Sequence, residues 1–197
     1  AIYGKEQSGR YVCESRLKKM IDREYLLLKE RLDRKKHPHK SFFSFANTIT
    51  TTKYDDQQPG HGWMGVRFQL TASQKPNDVI IHIRLHEHEA RQQQETVGIL
   101  GVNLMYACFY CHKSPEKFIQ SLYDNLSRKQ VELDMVQMNG ENFQNVDNRL
   151  LSLLLVKNGM TEAVIFGPDG NNLQPSDVLY KKNILTLRGS FRPVTKV

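Results

Sequence analysis

The chain has 197 residues, of which 39% are hydrophobic and 25% charged; these values are ordinary for a globular domain and exclude a disordered or fibrous protein. The longest nearly apolar run covers residues 97–111 and is shorter than the roughly 20 residues that a membrane-spanning helix needs. We therefore expect no membrane partner. Three cysteines and the lack of a signal-peptide pattern predict a cytoplasmic protein without a disulfide framework.

Charge is unevenly placed along the chain. The net charge is +7, and residues 1–40 hold 12 Lys and Arg against 6 Asp and Glu, so the remainder is nearly neutral. A second basic group closes the chain, with Lys181, Lys182, Arg188, Arg192 and Lys196. At this density a solvated basic face explains the pattern better than a nucleic-acid surface does, and a nucleic-acid partner is disfavoured.

The first predicted element is an amphipathic helix within residues 14–36. Its apolar positions form one broad helical stripe, made of Leu17, Met20, Ile21, Leu27, Leu28 and Leu32. Pro38 disfavours helical geometry at His37 and ends the helix. This pattern divides the chain into a basic N-terminal amphipathic helix, residues 1–40, and a single α/β domain, residues 41–197.

Three strands are predicted next. A β-prone stretch begins at Phe42, the segment 63–70 alternates in polarity, and the segment 79–85 has one largely apolar face. Turn-rich or loop segments separate the three from one another. The three strands are expected to form an antiparallel sheet.

The second half alternates helices with short strands. Residues 87–111 predict a central buried helix, Ser114 caps the next helix, and Gly159 closes a further helix that begins near residue 145. Strands are predicted at 130–138, at 162–167 as a buried segment, and at 183–187, with a short helix over 174–180. The fold class is therefore α/β or α+β: a mixed β-sheet of about six strands with a central buried helix and flanking helices.

One motif has the spacing of a haem attachment site. Cys108, Cys111 and His112 form Cys-x-x-Cys-His, the pattern that binds haem in c-type cytochromes. Two cysteines one turn apart at the end of an apolar helix are more typical of core packing. Their place at a helix C-terminus also disfavours a reactive thiol pair. We expect no haem here.

A zinc site is the second metal hypothesis. His82, His86 and His88 could be joined by Cys108 and Cys111 to give four ligands. The histidine spacing matches no known zinc finger, and two of the histidines lie at a polar junction between a strand and a helix. We therefore predict no metal.

Other polar residues are stronger candidates for a site. Asn103 lies in the apolar helix, so it either anchors the core or belongs to a binding site. Asn145 or Asp147 can cap the helix that begins at this point, and Arg149 beside the free amides of that helix could hold an anion. Asp147 is also a weak candidate for a catalytic carboxylate.

The segment LRGSFRP places Gly189 between Arg188 and Arg192 in a predicted loop. Backbone amides and guanidinium groups in such a loop could grip phosphate or carboxylate. The same two arginines could equally pair with carboxylates of this chain.

Several blocks of the sequence resemble a family of longer bacterial proteins of unassigned biochemistry. The blocks are FFSFANT, HGWMGVRFQ, QQQETVGILGVNLMYACFY, SLYDNL, VDNRLLSLLLVKNGMTEAVIF and QPSDVLYKKNILTLRGSFRPVT. They span about residues 42–195 in order, so the chain resembles the N-terminal portion of such a protein. Members carry automatic labels such as nicotinate-nucleotide adenylyltransferase or TonB-dependent receptor.

The residues can be compared with those labels. The adenylyltransferase label implies a phosphate-binding His-x-Gly-His turn, and HGWMG lacks the second histidine. The receptor label implies a large barrel of alternating strands, which four or more predicted helices do not fit. The resemblance therefore implies no particular chemistry.

The resemblance indicates which positions of this sequence belong to the family pattern. At Cys108, Cys111, His86 and His88 this sequence departs from the family pattern, which further weakens the haem and zinc hypotheses. They run through Arg67, Gln93, Gln94, Asn103, Asp147, Asn148, Arg149, Lys181, Lys182, Arg188, Ser190 and Arg192.

Three functional hypotheses follow. The leading one is a domain that binds a ligand or protein partner, with an anionic group held among Arg67, Asn103, Asn148, Arg149, Arg188, Ser190 and Arg192. The second is an enzyme acting on a nucleotide or phosphorylated small molecule, with Asp147 as base or metal ligand. The third is a structural module that docks onto the C-terminal domain of the same longer protein or forms a homo-oligomer, which predicts an exposed apolar patch.

Overall fold

The computed structural model describes residues 12–32, 36–52, 59–179, 182–186 and 188–189, without the side chains of residues 176 and 177. The helices are α1 (Glu14–Arg31), α2 (Ala90–Tyr106), α3 (Pro115–Ser121), α4 (Asn148–Lys157) and α5 (Pro175–Leu179). The strands are β1 (Phe42–Thr50), β2 (Gly60–Gln69), β3 (Asn77–Leu85), β4 (Val131–Gly140), β5 (Ile165–Phe166) and β6 (Asn172–Leu173). A π-helical turn, Ala107–Cys111, prolongs α2.

The main sheet has four strands in the order β1-β2-β3-β4. Every neighbouring pair is antiparallel, with Ala46 opposite Gly65 and Gly65 opposite Ile80. β5 and β6 form a separate antiparallel pair. The predicted combination of helices with about six strands is confirmed, although the strands divide into two sheets and no described pair is parallel.

The end of the chain differs from the prediction. Residues 183–186 have no regular structure, and Ile184 and Leu185 are exposed, so the predicted strand over 183–187 is wrong in the part that the structure describes. β5 forms, but Ile165 is only half-buried and Phe166 is exposed. The reason is that β5 pairs with β6 alone and lies outside the main sheet.

Both faces of the main sheet are covered. On one face Met64, Val66 and Ile81 join a large buried cluster with residues of α2, α3 and α4. On the other face a smaller cluster joins the sheet to α1, through Leu17, Ile21, Ala46, Trp63, Ile80 and Met135. The alternating strands therefore carry apolar side chains on both faces, and the sheet lies between two helical layers.

α1 approaches the sheet closely at Gly65. A Cβ atom there would lie 2.6 Å from Cδ1 of Ile21, which is too close for two carbon atoms. Arg67 then ties the helix to the sheet, because its guanidinium donates to Asp78 at 2.6 and 2.7 Å and also to Asp22 of α1.

α2 begins three residues later than predicted and is buried on one side. Leu100 and Leu104 face the core, whereas Ile99, Val102, Tyr106 and Tyr110 remain exposed along one helical stripe. The rings of Tyr106 and Tyr110 stack with centroids 4.9 Å apart. Among the helices in the described part of the chain, none combines the length and the apolar character that a membrane crossing requires.

Candidate functional site

A buried imidazole and carboxylate pair joins the last two strands of the main sheet. His82 of β3 and Asp134 of β4 are 1% and 5% exposed, and His82 Nδ1 lies 2.5 Å from Asp134 Oδ1. The other carboxylate oxygen, Oδ2, lies 3.3 Å from Nε of Arg84, an ion-pair contact rather than a hydrogen bond. Burying a carboxylate without partners costs much free energy. His82 and Arg84 therefore stabilise the buried Asp134 side chain.

A β-bulge creates this pair. The register between β3 and β4 shifts at His82 and Ile83: His82 lies opposite Met135, Ile83 lies opposite Leu133, and Asp134 is left without a partner. An extra residue of this kind redirects a side chain and is common beside active sites. Asp134 therefore reaches the face of the sheet that carries His82.

Gln174 contacts the other ring nitrogen of His82. Its side-chain Nε2 lies 2.8 Å from His82 Nε2. His82 is therefore held at both ring nitrogens by other side chains, Asp134 at Nδ1 and Gln174 at Nε2.

Gln174 also forms part of the wall of a cavity of about 340 Å³. The cavity lies at the N-terminus of α1, on the same face of the sheet as His82. Its wall combines apolar and polar groups, from Val12, Cys13, Glu14, Ser15, Trp63, Met135, Asn172, Leu173, Gln174 and Val178. The Trp63 ring contacts the His82 ring with centroids 4.8 Å apart, so the cavity and the buried pair are adjacent.

Cys13 occupies the N-cap position of α1 and is partly exposed in this cavity. Its Sγ lies 3.3 Å from the Ser15 hydroxyl. That hydrogen bond, opposed by desolvation and reinforced by the backbone N–H and the charge of Arg16, lowers the pKa of the Cys13 thiol below its ordinary value. A thiol at a helix N-terminus with a lowered pKa is the arrangement that favours the nucleophilic thiolate.

The cavity wall also contains an unsatisfied acceptor. The Asn172 side-chain nitrogen donates to the Ser152 hydroxyl at 2.6 Å and to the Asn148 carbonyl at 3.0 Å. Its Oδ1 is buried and has no hydrogen-bond partner among the described residues. Asn172 is thus one of the polar residues of the cavity wall, with its side-chain nitrogen held by the protein itself.

Asp147 and Arg149, two of the predicted site residues, bind each other. Asp147 is the N-cap of α4 and accepts from the backbone N–H of Arg149 at 2.9 Å. Its carboxylate also binds the Arg149 guanidinium at 2.8 Å, and these bonds lower the pKa of Asp147 to about 2. Asn148 instead closes a pair of hydrogen bonds, at 2.8 and 3.1 Å, with the backbone of Met138 in β4.

The Asn103 side chain binds the protein's own backbone. Its Nδ2 donates to the carbonyls of Leu122 and Asp124, at 3.0 and 2.8 Å, and so joins α2 to the end of α3. Asn103 also lines a surface depression beside Tyr106 and Tyr123. It does not line the cavity that contains Cys13, nor the apolar groove beside Asp147.

The remaining predicted ligand residues are also dispersed. The Arg67 guanidinium is occupied by Asp78 and Asp22, and Arg188 is exposed on the described part of the C-terminal segment. Ser190 and Arg192 lie outside the described residues. The structure therefore does not bring the predicted anion-binding residues together in the portion that it describes.

The residues of the haem and zinc hypotheses are also separated. Cys108 is buried in the main core, where burial raises the pKa of its thiol, and Cys111 is partly exposed. His112 lies 3.2 Å from the Phe109 carbonyl, and His86 lies 3.5 Å from Glu132. His88 is exposed. Within the described ranges, no three His, Cys, Asp or Glu side chains converge as metal ligands would.

Most residues of this site are not among the candidates that the sequence suggested. Cys13 precedes the first residue of a predicted helix, which is a signal for an N-cap thiol, and Asp134 is a charged residue in an otherwise apolar strand. Neither signal identifies a partner. Comparison with known proteins adds no assignment, since no protein-family model, curated protein or solved structure matches this chain.

Proposed function

We propose that this protein is a ligand-binding domain whose site is the cavity at the N-terminus of α1. The observation that carries the proposal is a cavity whose wall combines the Trp63 ring with the polar side chains of Ser15, Asn172 and Gln174. A volume of about 340 Å³ falls within the range of ~300–1,000 Å³ that is usual for small-molecule sites.

The lining indicates what kind of molecule fits. Trp63, Met135, Leu173 and Val178 provide apolar contacts on the wall. Ser15 and Gln174 add a hydroxyl and a side-chain amide, which can bind a carbonyl or carboxylate oxygen. The ligand class that we propose is therefore a small acyl compound, with an apolar body and a carbonyl or carboxylate group.

We place the ligand in this cavity rather than among the arginines that the sequence suggested as anion ligands. Arg149 is already paired with Asp147, and Arg67 is paired with Asp78 and Asp22. For the same reason an enzyme that uses Asp147 as base or metal ligand is the weaker alternative. Its carboxylate is bound to the Arg149 guanidinium and caps α4.

Trp63 gives a direct test, since it is the single tryptophan of the chain. Titration with N-acetylated amino acids, each as free carboxylate and as primary amide, is expected to change its fluorescence in a saturable way. Val178→Phe should remove the response because the added ring fills the cavity. Leu150→Phe, on the exposed side of α4, is the matched control and should bind as the original protein does.

Two results would contradict the proposal. One is that no compound of the panel changes Trp63 emission. The other is that Val178→Phe, shown to be folded by its thermal transition, responds as strongly as Leu150→Phe.

A second candidate function is self-association or partner docking through α2. The specific observation is the exposed stripe of Ile99, Val102, Tyr106 and Tyr110 on one side of this helix. Exposed apolar groups that lie contiguously on a surface are typical of interaction sites. This stripe is the surface through which we propose that a homo-oligomer forms.

A further inference from the structure

We infer that two copies of this protein pair through an antiparallel contact between their α2 helices. The contact surface is the α2 stripe, the exposed row of Ile99, Val102, Tyr106 and Tyr110. The partner is a second copy of this chain, related to the first by a two-fold axis level with residue 104. This inference rests on the second candidate function, because the stripe must first mediate self-association.

The α2 stripe has the spacing of a seam between two helices. Ile99, Val102 and Tyr106 are separated by three and four residues, and the exposed Glu95 continues the row four residues earlier. Alternating steps of three and four residues are those of the core positions through which paired helices pack side by side. A long, straight row of this kind fits another helix better than it fits a compact ligand.

The π-helical turn at the end of α2 keeps Tyr110 on the stripe. Phe109 lies seven residues after Val102, so a regular α-helix would place Phe109 on this row. The extra residue of the turn directs Phe109 toward the core instead, where its ring contacts two phenylalanine rings at centroid distances of 5.4 and 5.6 Å. Tyr110 then faces outward and stacks on Tyr106. Turns of this type are frequent at functional sites.

The exposed area of the stripe indicates a weak dimer. Tyr106 and Tyr110 are 53% and 76% exposed. Because an aromatic side chain carries ~150–250 Å², these two rings offer roughly 250 Å² and the whole stripe about 400 Å². Two copies would bury on the order of 800 Å², which is below the ~1,200 Å² at which standard interfaces begin. We therefore expect association at high protein concentration.

Charges beyond the two ends of the stripe determine the direction of pairing. Glu95 precedes the stripe and Lys113 follows it, and both are exposed. In an antiparallel pair, Glu95 of each copy lies beside Lys113 of the other. A parallel pair would place each residue beside its own copy, and like charges repel. Arg91 contacts Glu95 at 3.1 Å, but such an exposed pair contributes little and does not prevent a second contact.

Gly98 supports the same register. It is an exposed glycine inside a helix, and nothing lies within 4 Å of the Cβ that another residue would add. Glycine is unfavourable inside a helix, and the described part of the chain offers no packing reason for it. About an axis level with residue 104, the residues that lie opposite each other are Val102 and Tyr106, Gly98 and Tyr110, and Glu95 and Lys113. The missing side chain of Gly98 therefore leaves room for a tyrosine ring of the second copy.

The test exchanges charges and measures association by analytical ultracentrifugation, with one of two mixed variants fluorescently labelled. Glu95→Lys and Lys113→Glu should each weaken self-association about tenfold, because two symmetric contacts become like-charged. The mixed dimer of these two variants should form as tightly as the original dimer, since each contact again joins opposite charges. The matched controls, Glu30→Lys on α1 and Lys129→Glu before β4, alter exposed charges elsewhere and should change nothing.

A further variant tests the register without changing a charge. Gly98→Gln places a side chain where the Tyr110 ring of the second copy lies, so self-association should weaken about tenfold. The same substitution replaces a helical glycine by a better helix former, so the thermal transition should stay the same or rise. Weaker association in a protein that is at least as stable excludes loss of folding as the cause.

The inference is overturned if the mixed dimer is no tighter than the dimer of either single variant, or if Gly98→Gln associates as the original protein does. Its failure is distinguishable from failure of self-association itself. A protein that associates, and loses this ability in Val102→Lys, but is not rescued by charge exchange uses the stripe in another orientation. A protein that stays monomeric at every concentration contradicts both the self-association and its orientation.

Discussion

At the scale of single residues, two asparagines in the described part of the chain bind the protein's own backbone. Asn103 and Asn148 each make two hydrogen bonds to main-chain atoms of another element. His82, Asp134 and Gln174 differ, because they bind one another through their side chains. A side-chain network that is almost fully buried is costly to maintain unless it contributes specificity or function.

Asn103→Ala is expected to destabilise the fold. The substitution removes two hydrogen bonds and leaves the carbonyls of Leu122 and Asp124 without this donor, at a cost of about 2 kcal/mol. Denaturant unfolding measures the loss. Val102→Ala, the neighbouring exposed position of α2, is the control and should change stability far less. Equal stability of the two variants would show that Asn103 does not anchor α3.

The Asp147 and Arg149 pair gives a pH dependence with a definite sign. The pKa of Asp147 is lowered to about 2 in the folded protein, by the Arg149 guanidinium first and by backbone N–H groups next. The stabilisation that this carboxylate provides is therefore complete above its unfolded pKa of about 3.9, and is lost as pH falls through about 2.

Titration of the Asp147 carboxyl by NMR checks this expectation. In Arg149→Gln the largest cause of the shift is gone, so the pKa of Asp147 should move back toward its ordinary value while the cap to the backbone N–H of residue 149 remains. An unchanged pKa in that variant would mean that the helix amides alone produce the shift.

At the scale of elements, the placement of α1 depends on close contact with β2. Leu17 and Ile21 are buried against Gly65, and the Arg67 guanidinium holds Asp22 of the same helix. This position also sets Cys13 beside Trp63 in the cavity. The site therefore depends on how accurately a separate helix packs on the sheet.

Gly65→Ala is expected to lower the free energy of unfolding by about 1–3 kcal/mol, the usual cost of forcing an extra methyl group into a packed core. The new Cβ would lie 2.6 Å from Ile21 and must displace it. Gly98→Ala in α2 is the control: nothing lies within 4 Å of the added atom, so replacing a helical glycine should be neutral or stabilising. Thermal or denaturant unfolding distinguishes the two; a neutral Gly65→Ala would contradict close packing of α1.

At the scale of the whole molecule, two helical layers cover the sheet, and the outer side of one layer is still apolar. Ile99, Val102, Tyr106 and Tyr110 repeat at helical spacing, with two of the rings stacked on each other. Such a stripe resembles the buried side of a helix in a bundle, and burying it would remove apolar surface from water.

We expect the protein to self-associate through this stripe as its concentration rises. Sedimentation velocity should show a concentration-dependent increase in mass that is lost in Val102→Lys, because a charge would then lie in the middle of the contact. Ile184→Lys, exposed on the C-terminal segment, is the control and should associate as the original protein does. A monomer at every concentration would assign the stripe to a different partner or to none.

Much of the secondary structure follows from local sequence. The stripe of α1, the alternation of β2, the Ser114 cap and the positive φ of Gly159 at the end of α4 all act over a few residues, and the sequence predicts each of them. The strand expected at 183–187 failed because apolar residues alone do not supply a neighbouring strand.

The candidate site could not be predicted in the same way. Cys13, Trp63, His82, Asp134 and Gln174 are far apart in the chain, and only the packing of α1, the bulge in β4 and the reach of Gln174 bring them to one face. Periodicity determines which residues turn inward, because it reflects local backbone geometry. Which inward residues meet is decided by tertiary structure, because those contacts depend on strand register and on the close approach of separate elements.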